Sequence, residues 1–422
     1  MQGSHAWRTD SAVFDEDNLV SHAGLVPLLA LAERTGLSEL LDEHVRFACE
    51  RVKSGAANPT PKLTSIIAGM ACGADSIDDL DVIRAGGMKR LFDGVYAATT
   101  LGILLREFTH GHTRQLSAVL RRHLVALTEQ TRVLHGITDR CFIDIDSLLR
   151  PVYGRAKQGA SFGHTKISGK TVLRRGLSPL AVTISTETAA PMLAGVRLRA
   201  GRAASSRGAA SMVTEALNTA ITAGATPQNI LIRGDSAYCA GTIVTAIVTA
   251  GARFSITIAR NPAVDAAIAD NRHRITGRLI VRRVLDANTQ DPLFPVWRYH
   301  PFFTNTTEPV DQADITHRRH AICETVWSDL IDGPWAHQPS GMFTANTAWC
   351  ILAAICHNLL RAAGTLTDTT RYTVARGATL RTHLINIPAR LARPQHHPTL
   401  HLPTHWPRAH AWLTLWTAAF TT

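Results

Sequence analysis

The 422-residue sequence predicts an α/β protein, a mixed β-sheet covered by helices, with a helical region before it and a β-rich stretch inserted into it. Three observations predict this. Leucines recur at i, i+3, i+4 spacing before residue 135; short apolar runs alternate with helical periods from 136 to 260; turn-bounded β-rich runs follow to 311. A hydrophobic content of 45% is enough for a large core, and this length accommodates two or three domains.

The helical region, 1–135, rests on Leu25, Leu28 and Leu29, then Leu37, Leu40 and Leu41, each set on one helix face. Gly36 separates the two, with Thr35 or Ser38 as candidate caps. From Thr113 to Leu127 an amphipathic helix sets Leu116, Val119, Leu120, Leu124 and Leu127 against Arg114, Arg121, Arg122 and His123. Basic helical faces serve DNA binding or a plain scaffold, and no helix-turn-helix stands out.

The first segment of the mixed sheet, 136–260, opens with Cys141–Ser147, where apolar and acidic residues alternate from Phe142 on. As a strand it points Ile143 and Ile145 to one face and Phe142, Asp144 and Asp146 to the other. Carboxylates two residues apart on one strand face lie about 7 Å from each other. They repel unless water, a cation or basic groups balance them. An edge strand with a solvated acidic face is the plainer reading. A basic, glycine-studded run follows, with Arg155, Lys157, Lys166, Lys170, Arg174 and Arg175. Then come strands at Leu180–Ser185 and Met192–Leu198, a helix over Ser206–Gly224, and an apolar strand from Asn229 that ends by presenting Asp235. A helix (Thr242–Thr249) and a strand (Arg253–Ile258) complete the segment. Ligands of such sheets sit beyond strand ends.

The β-rich insertion, 261–311, is expected to hold strands at Arg278–Val284 and Pro295–Phe303 around turn residues at 286–291. The segment after it, 312–365, reads as a helix over His317–Ile331, carrying Glu324, and a buried helix over Phe343–Ala363. That apolar run is broken by Asn346, His357, Asn358 and Arg361, so it is read as core and not as a membrane span. The region 366–422 is basic and rich in Pro and His, with an apolar close.

Lys plus Arg is 44 against 33 Asp plus Glu, a net +11, which favours a polyanionic partner, nucleic acid ahead of membrane. The seven cysteines form no CxxC pair and read as buried free thiols of a reducing compartment. With no apolar leader before Leu19, a soluble, cytoplasmic chain is expected.

Three acids invite a catalytic reading: Asp146 and Asp235 at strand ends and Glu324 in a late helix. Only a fold brings residues so far apart into one pocket. If gathered, three carboxylates suit a hard cation such as Mg²⁺, which takes oxygen ligands, and metal ions so held act on phosphodiesters. A lone glutamate on a helix is commonly a solvated charge.

Six ordered motifs, Phe142 to Gly154, Lys157 to Lys166, Arg233 to Tyr238, Leu293 to His300, His317 to Leu330 and Pro339 to Trp349, make the chain resemble bacterial insertion-sequence DDE transposases. Within these it looks most similar to insertion-sequence family thirteen-eighty, whose ribonuclease H-like catalytic domain carries a β-rich insertion. The resemblance implies Asp146, Asp235 and Glu324 as catalytic and metal-holding residues for Mg²⁺, with Mn²⁺ able to substitute. It implies double-stranded DNA as partner, at transposon terminal inverted repeats and target, and a homodimer assembled on DNA. Lys157, Lys166, Lys170, Arg174, Arg318, Arg319 and His320 are the candidate DNA-binding residues, and Arg278, Arg282 and Arg283 add charge from the insertion. The wider superfamily places Tyr seven and Arg four residues before the glutamate and Lys seven after it; here His317, His320 and Ile331 stand there.

Asp144 competes with Asp146 as first carboxylate. It also supports a second enzyme class: Asp144 as nucleophile and Asp146 as acid/base resemble haloacid dehalogenase-type phosphatases. That pattern wants a later Asp where position 239 is Cys. A third reading is a non-catalytic, DNA-binding relative. His396, His397, His401 and His405 sit among prolines and read as a surface loop rather than a zinc site. Trp327, Trp335 and Trp349 are candidates for base stacking or, more commonly, core packing.

Overall fold

A computed structural model describes residues 11–47, 55–92, 94–167, 170–258, 276–285, 297–393 and 397–421. After a short strand β1 (Leu19–Val20), the helices α1 (Leu25–Arg34), α2 (Leu37–His44), α3 (Pro59–Cys72), α4 (Ala98–Arg106) and α5 (His110–Gln130) form the N-terminal part. The leucine stripes predicted for α1, α2 and α5 face inward. Neither Thr35 nor Ser38 caps α2. Gly36, at φ +71°, occupies the cap position, and the Thr35 hydroxyl bonds back to the Leu31 carbonyl at 2.8 Å.

The central sheet is built from β2 (Cys141–Ser147), β6 (Leu180–Ser185), β7 (Met192–Arg197), β8 (Ile230–Gly234), β9 (Arg253–Thr257), β10 (Arg278–Leu285) and β11 (Trp297–Thr304). Its order is β10-β11-β9-β8-β2-β6-β7. β2 runs parallel to β8 and antiparallel to β6, so the sheet is mixed, as expected. The described strands of the insertion are no separate body, since β11 pairs with β9 and extends the sheet. Residues 286–296, including the expected turn, lie outside the described residues.

The basic run after β2, read without regular structure, forms β3 (Arg150–Pro151), β4 (Ser161–Ile167) and β5 (Lys170–Leu177), a second sheet of order β3-β5-β4. Two helices, α6 (Ala209–Thr222) and α7 (Gly241–Thr249), follow in the order expected; α6 covers β2, β6 and β7.

The segment read as one helix over His317–Ile331 is divided. It comprises α8 (Val310–Arg318), a 3₁₀ turn (Arg319–Ile322) and α9 (Cys323–Ile331). Inside the turn, His320 Nδ1 lies 2.7 Å from the His317 carbonyl, a side-chain bond at the join. Next, α10 (Phe343–Thr365) is long and apolar enough to cross a membrane. Every residue from Ala345 on is buried, with α3, α5 and β7 packed around it.

The basic tail folds back on the N-terminal part. β12 (Ala389–Ala392) pairs with β1 and with β13 (Thr399–His401), and α11 (Ala409–Phe420) packs along α1. One contiguous apolar core runs from the N-terminal helices through the central sheet to α10 and α11. Of the prolyl-histidine stretch, His396 lies outside the described residues.

Candidate active site

β2 ends where the two aspartates meet. The parallel register pairs Ile145 with Gly234, so the next residues, Asp146 and Asp235, stand one strand spacing apart, about 5 Å. Gly234 permits this close ending: a Cβ there would meet the side chains of Ile145 and Tyr238 at 3.2 and 3.3 Å. Asp146 is partly buried and Asp235 exposed, its Oδ1 accepting from the Ala237 N–H at 2.9 Å.

Asp146 is held by two donors. The Ser147 N–H reaches Oδ1 at 2.7 Å and the Trp327 indole N–H reaches Oδ2 at 2.9 Å. Burial raises its pKa above the ordinary aspartate value; these bonds pull it down, Asp235 pushes it up and His320 lowers it. Beside the two aspartates the Tyr238 hydroxyl donates to Ser147 Oγ at 2.9 Å.

Asp144 has a different fate. It is 1% exposed, and Arg233, its in-register neighbour on β8, donates to both its oxygens at 2.7 Å. The guanidinium also stacks over the Phe142 ring, 4.2 Å from its centroid, and donates to the Thr316 carbonyl. A carboxylate so buried and paired offers no free oxygen to a phosphate ester or a cation, so the nucleophile reading of Asp144 is overturned.

α9 brings Cys323 and Trp327, one helical turn apart, against Asp146; the Cys323 thiol is 3.9 Å from Oδ2. Glu324 follows Cys323 but is exposed, and its side chain makes no hydrogen bond or ion pair among the described residues. Nor do any three His, Cys, Asp or Glu side chains among the described residues form a metal-holding group. Asp146 and Asp235 thus adjoin at the strand ends, and Glu324 stands on the helix beside them. α9 itself is pinned by Asp329, whose carboxylate binds Arg361 of α10 at 2.8 Å and Arg376 at 2.9 Å.

The candidate DNA-binding residues divide. Lys157 donates to the Gln338 and Ser340 carbonyls, so its ammonium anchors the chain before α10. Lys170 and Arg174 are exposed on β5, while the Lys166 side chain lies outside the described residues. Arg318 is exposed and paired with Asp314, Arg319 is exposed, and His320 faces Asp146 closely enough to influence it. His317 is buried, stacked on Phe302 at 4.3 Å and bonded to Ser255 and Thr257. Trp335 and Trp349 are fully buried and Trp327 nearly so, which leaves none of them for a base. The sequence reading missed Arg233 and the Trp327 bond. A lone arginine inside the apolar run Ile230–Gly234 was the available signal.

A model of the family described as transposase DDE domain group 1 matches residues 8–296. The chain belongs to this transposase family. No curated protein matches the chain. The matched span holds both aspartates of this DDE transposase and stops before Glu324.

Proposed function

We propose that this transposase is a metal-dependent DNA strand transferase that cleaves at transposon ends and joins them to target DNA. The observation that carries the reading is the Asp146–Asp235 pair, two adjoining carboxylates at neighbouring strand ends in a DDE transposase family. The pair fits a hard divalent cation: all-oxygen donors, and a mutual repulsion that a cation relieves. Asp146 and Asp235 would hold Mg²⁺, or Mn²⁺ in its place, and the ion would supply Lewis-acid polarisation of a phosphodiester and activation of water or a 3′-OH. Trp327 and the Ser147 N–H fix the Asp146 carboxylate. Glu324, one residue beyond Cys323, supplies the third carboxylate from the rim of α9. Lys166, Lys170, Arg174, Arg318, Arg319 and His320 grip the phosphate backbone. Finer details of the proposal follow the resemblance: a ribonuclease H-like catalytic domain with a β-rich insertion, insertion-sequence family thirteen-eighty, terminal inverted repeats as the DNA bound, a homodimer on DNA, and a cytoplasmic location.

The test is mobilisation in cells of a marker flanked by the element's own ends. Asp146→Asn, Asp235→Asn and Glu324→Gln are each expected to abolish it; mobilisation unaffected by all three refutes the reading. A second reading, DNA binding without cleavage, draws on the unpartnered, exposed Glu324. Duplex binding without Mg²⁺-dependent nicking would favour it.

A further inference from the structure

Glu215, on α6, faces three guanidiniums. Arg121 and Arg114 of α5 reach its oxygens at 2.9 and 3.0 Å, and Arg197, at the end of β7, comes within 3.8 Å. One carboxylate balances only one of these charges. Arg199 and Arg207 line the same cleft, a cavity of about 340 Å³ between α5, the end of β7 and the start of α6. Glu215 is the one acidic residue among the described residues that line it. Five arginines therefore share the cleft with a single carboxylate.

The cleft is built, not merely crowded. Arg199 is 6% exposed, and the chain from 200 to 208 folds around its guanidinium, which donates to the carbonyls of Ser178, Ala204, Ser205 and Arg207. No carboxylate is among its hydrogen-bond partners. Arg197 is held by the Gly208 carbonyl at 3.2 Å and by Ser211 Oγ at 2.9 Å. Burial lowers the pKa of Arg121 and Arg197, and neighbouring arginines oppose the pull of Glu215. Guanidiniums fixed in place before binding lose little freedom when an anion arrives, and their planar forks match phosphate oxygens.

Sheet register fixes where the cleft lies. Ser147 pairs with Leu180, and Leu180 with Arg197. Two strand spacings, about 10 Å, thus separate Arg197 from the residue after Asp146. That span equals about three base-pair steps along a duplex.

We propose that this cleft is a phosphodiester-binding site, in which Arg114, Arg121 and Arg197 hold the backbone of the duplex whose reacting phosphate lies at Asp146. The assignment rests on the DNA reading of function, and the experiment separates the two. Binding of a mixed-sequence DNA duplex to the full chain is measured by fluorescence anisotropy over a salt series without divalent ions. Arg114→Gln, exposed on α5, is expected to flatten the slope of log affinity against log salt by about one, and Arg114→Gln with Arg121→Gln by about two. Arg114→Lys keeps the slope. Arg84→Gln, at an exposed arginine paired with Asp81 outside the cleft, sets the baseline. Slopes of both Gln variants equal to that baseline overturn the cleft while leaving the DNA reading intact. If circular dichroism shows the double variant unfolded, Arg114→Gln decides alone. An unaltered chain that binds no duplex overturns both.

Discussion

The indole N–H of Trp327 donates to Asp146 Oδ2 across 2.9 Å, tying α9 to the end of β2. A donor of this kind fixes which carboxylate lone pairs face a ligand. Trp327→Phe keeps most of the buried ring and loses the donor. It is expected to lower metal-dependent strand cleavage about 10- to 100-fold and raise the metal concentration required. Cleavage and metal requirement unchanged in a metal titration would show that the bond is only packing.

Beneath the site, the Asp144–Arg233 pair joins β2 to β8. Removing one partner leaves a buried charge uncompensated, so Arg233→Met is expected to destabilise the chain by about 3–5 kcal/mol in urea unfolding. Adding Asp144→Leu should recover most of the loss, because two apolar side chains replace the pair. A double variant as unstable as the single one contradicts this.

Asp146 has a raised folded-state pKa, so its ionised form is disfavoured in the fold. That penalty is absent below the ordinary carboxylate range, where both states are protonated, and grows as pH rises through the folded pKa. Asp146→Asn is therefore expected to raise Tm at neutral pH without divalent ions, with no gain at acidic pH. Added Mg²⁺ should stabilise the unaltered chain more than the variant. Differential scanning fluorimetry across pH reads both effects.

His123 is buried, and its Nε2 lies 2.9 Å from Thr35 Oγ1. The hydroxyl donates to the Leu31 carbonyl, so neutral His123 donates from Nε2. Burial lowers its pKa to about 4. The unfolded chain then binds the extra proton first, and stability falls as pH drops from about 6.5 to 4, by roughly 3 kcal/mol. His123→Gln should narrow the difference between urea midpoints at pH 7 and pH 5; an unchanged difference would assign the acid sensitivity elsewhere.

Much of the central sheet was legible because its strands are short apolar runs: Cys141–Ser147 matches β2, and Arg253–Ile258 and Leu180–Ser185 match β9 and β6 closely. β4 and β5 were not, since Gly163, Lys170, Arg174 and Gly176 break any apolar alternation. The return of α11 onto α1 is a contact between chain ends that no local pattern encodes. Within the site, Asp146 and Asp235 could be named as strand-end acids. Asp146 reads as the first carboxylate because it is last on the strand and is followed by Ser147, as in the family it resembles; the burial of Asp144 against Arg233 needed the register, and the outward exposure of Glu324 needed the packing of α9.

A metal-dependent phosphodiester centre at Asp146 and Asp235 is what the proposed activity requires. The most direct measurement is strand cleavage of a plasmid carrying the element's ends by purified chain, with Mg²⁺ and with EDTA, alongside Asp146→Asn and Asp235→Asn. Cleavage that requires Mg²⁺ and is lost in both folded variants is the expected result. Cleavage that persists in EDTA, or in either variant at the unaltered rate, would contradict it.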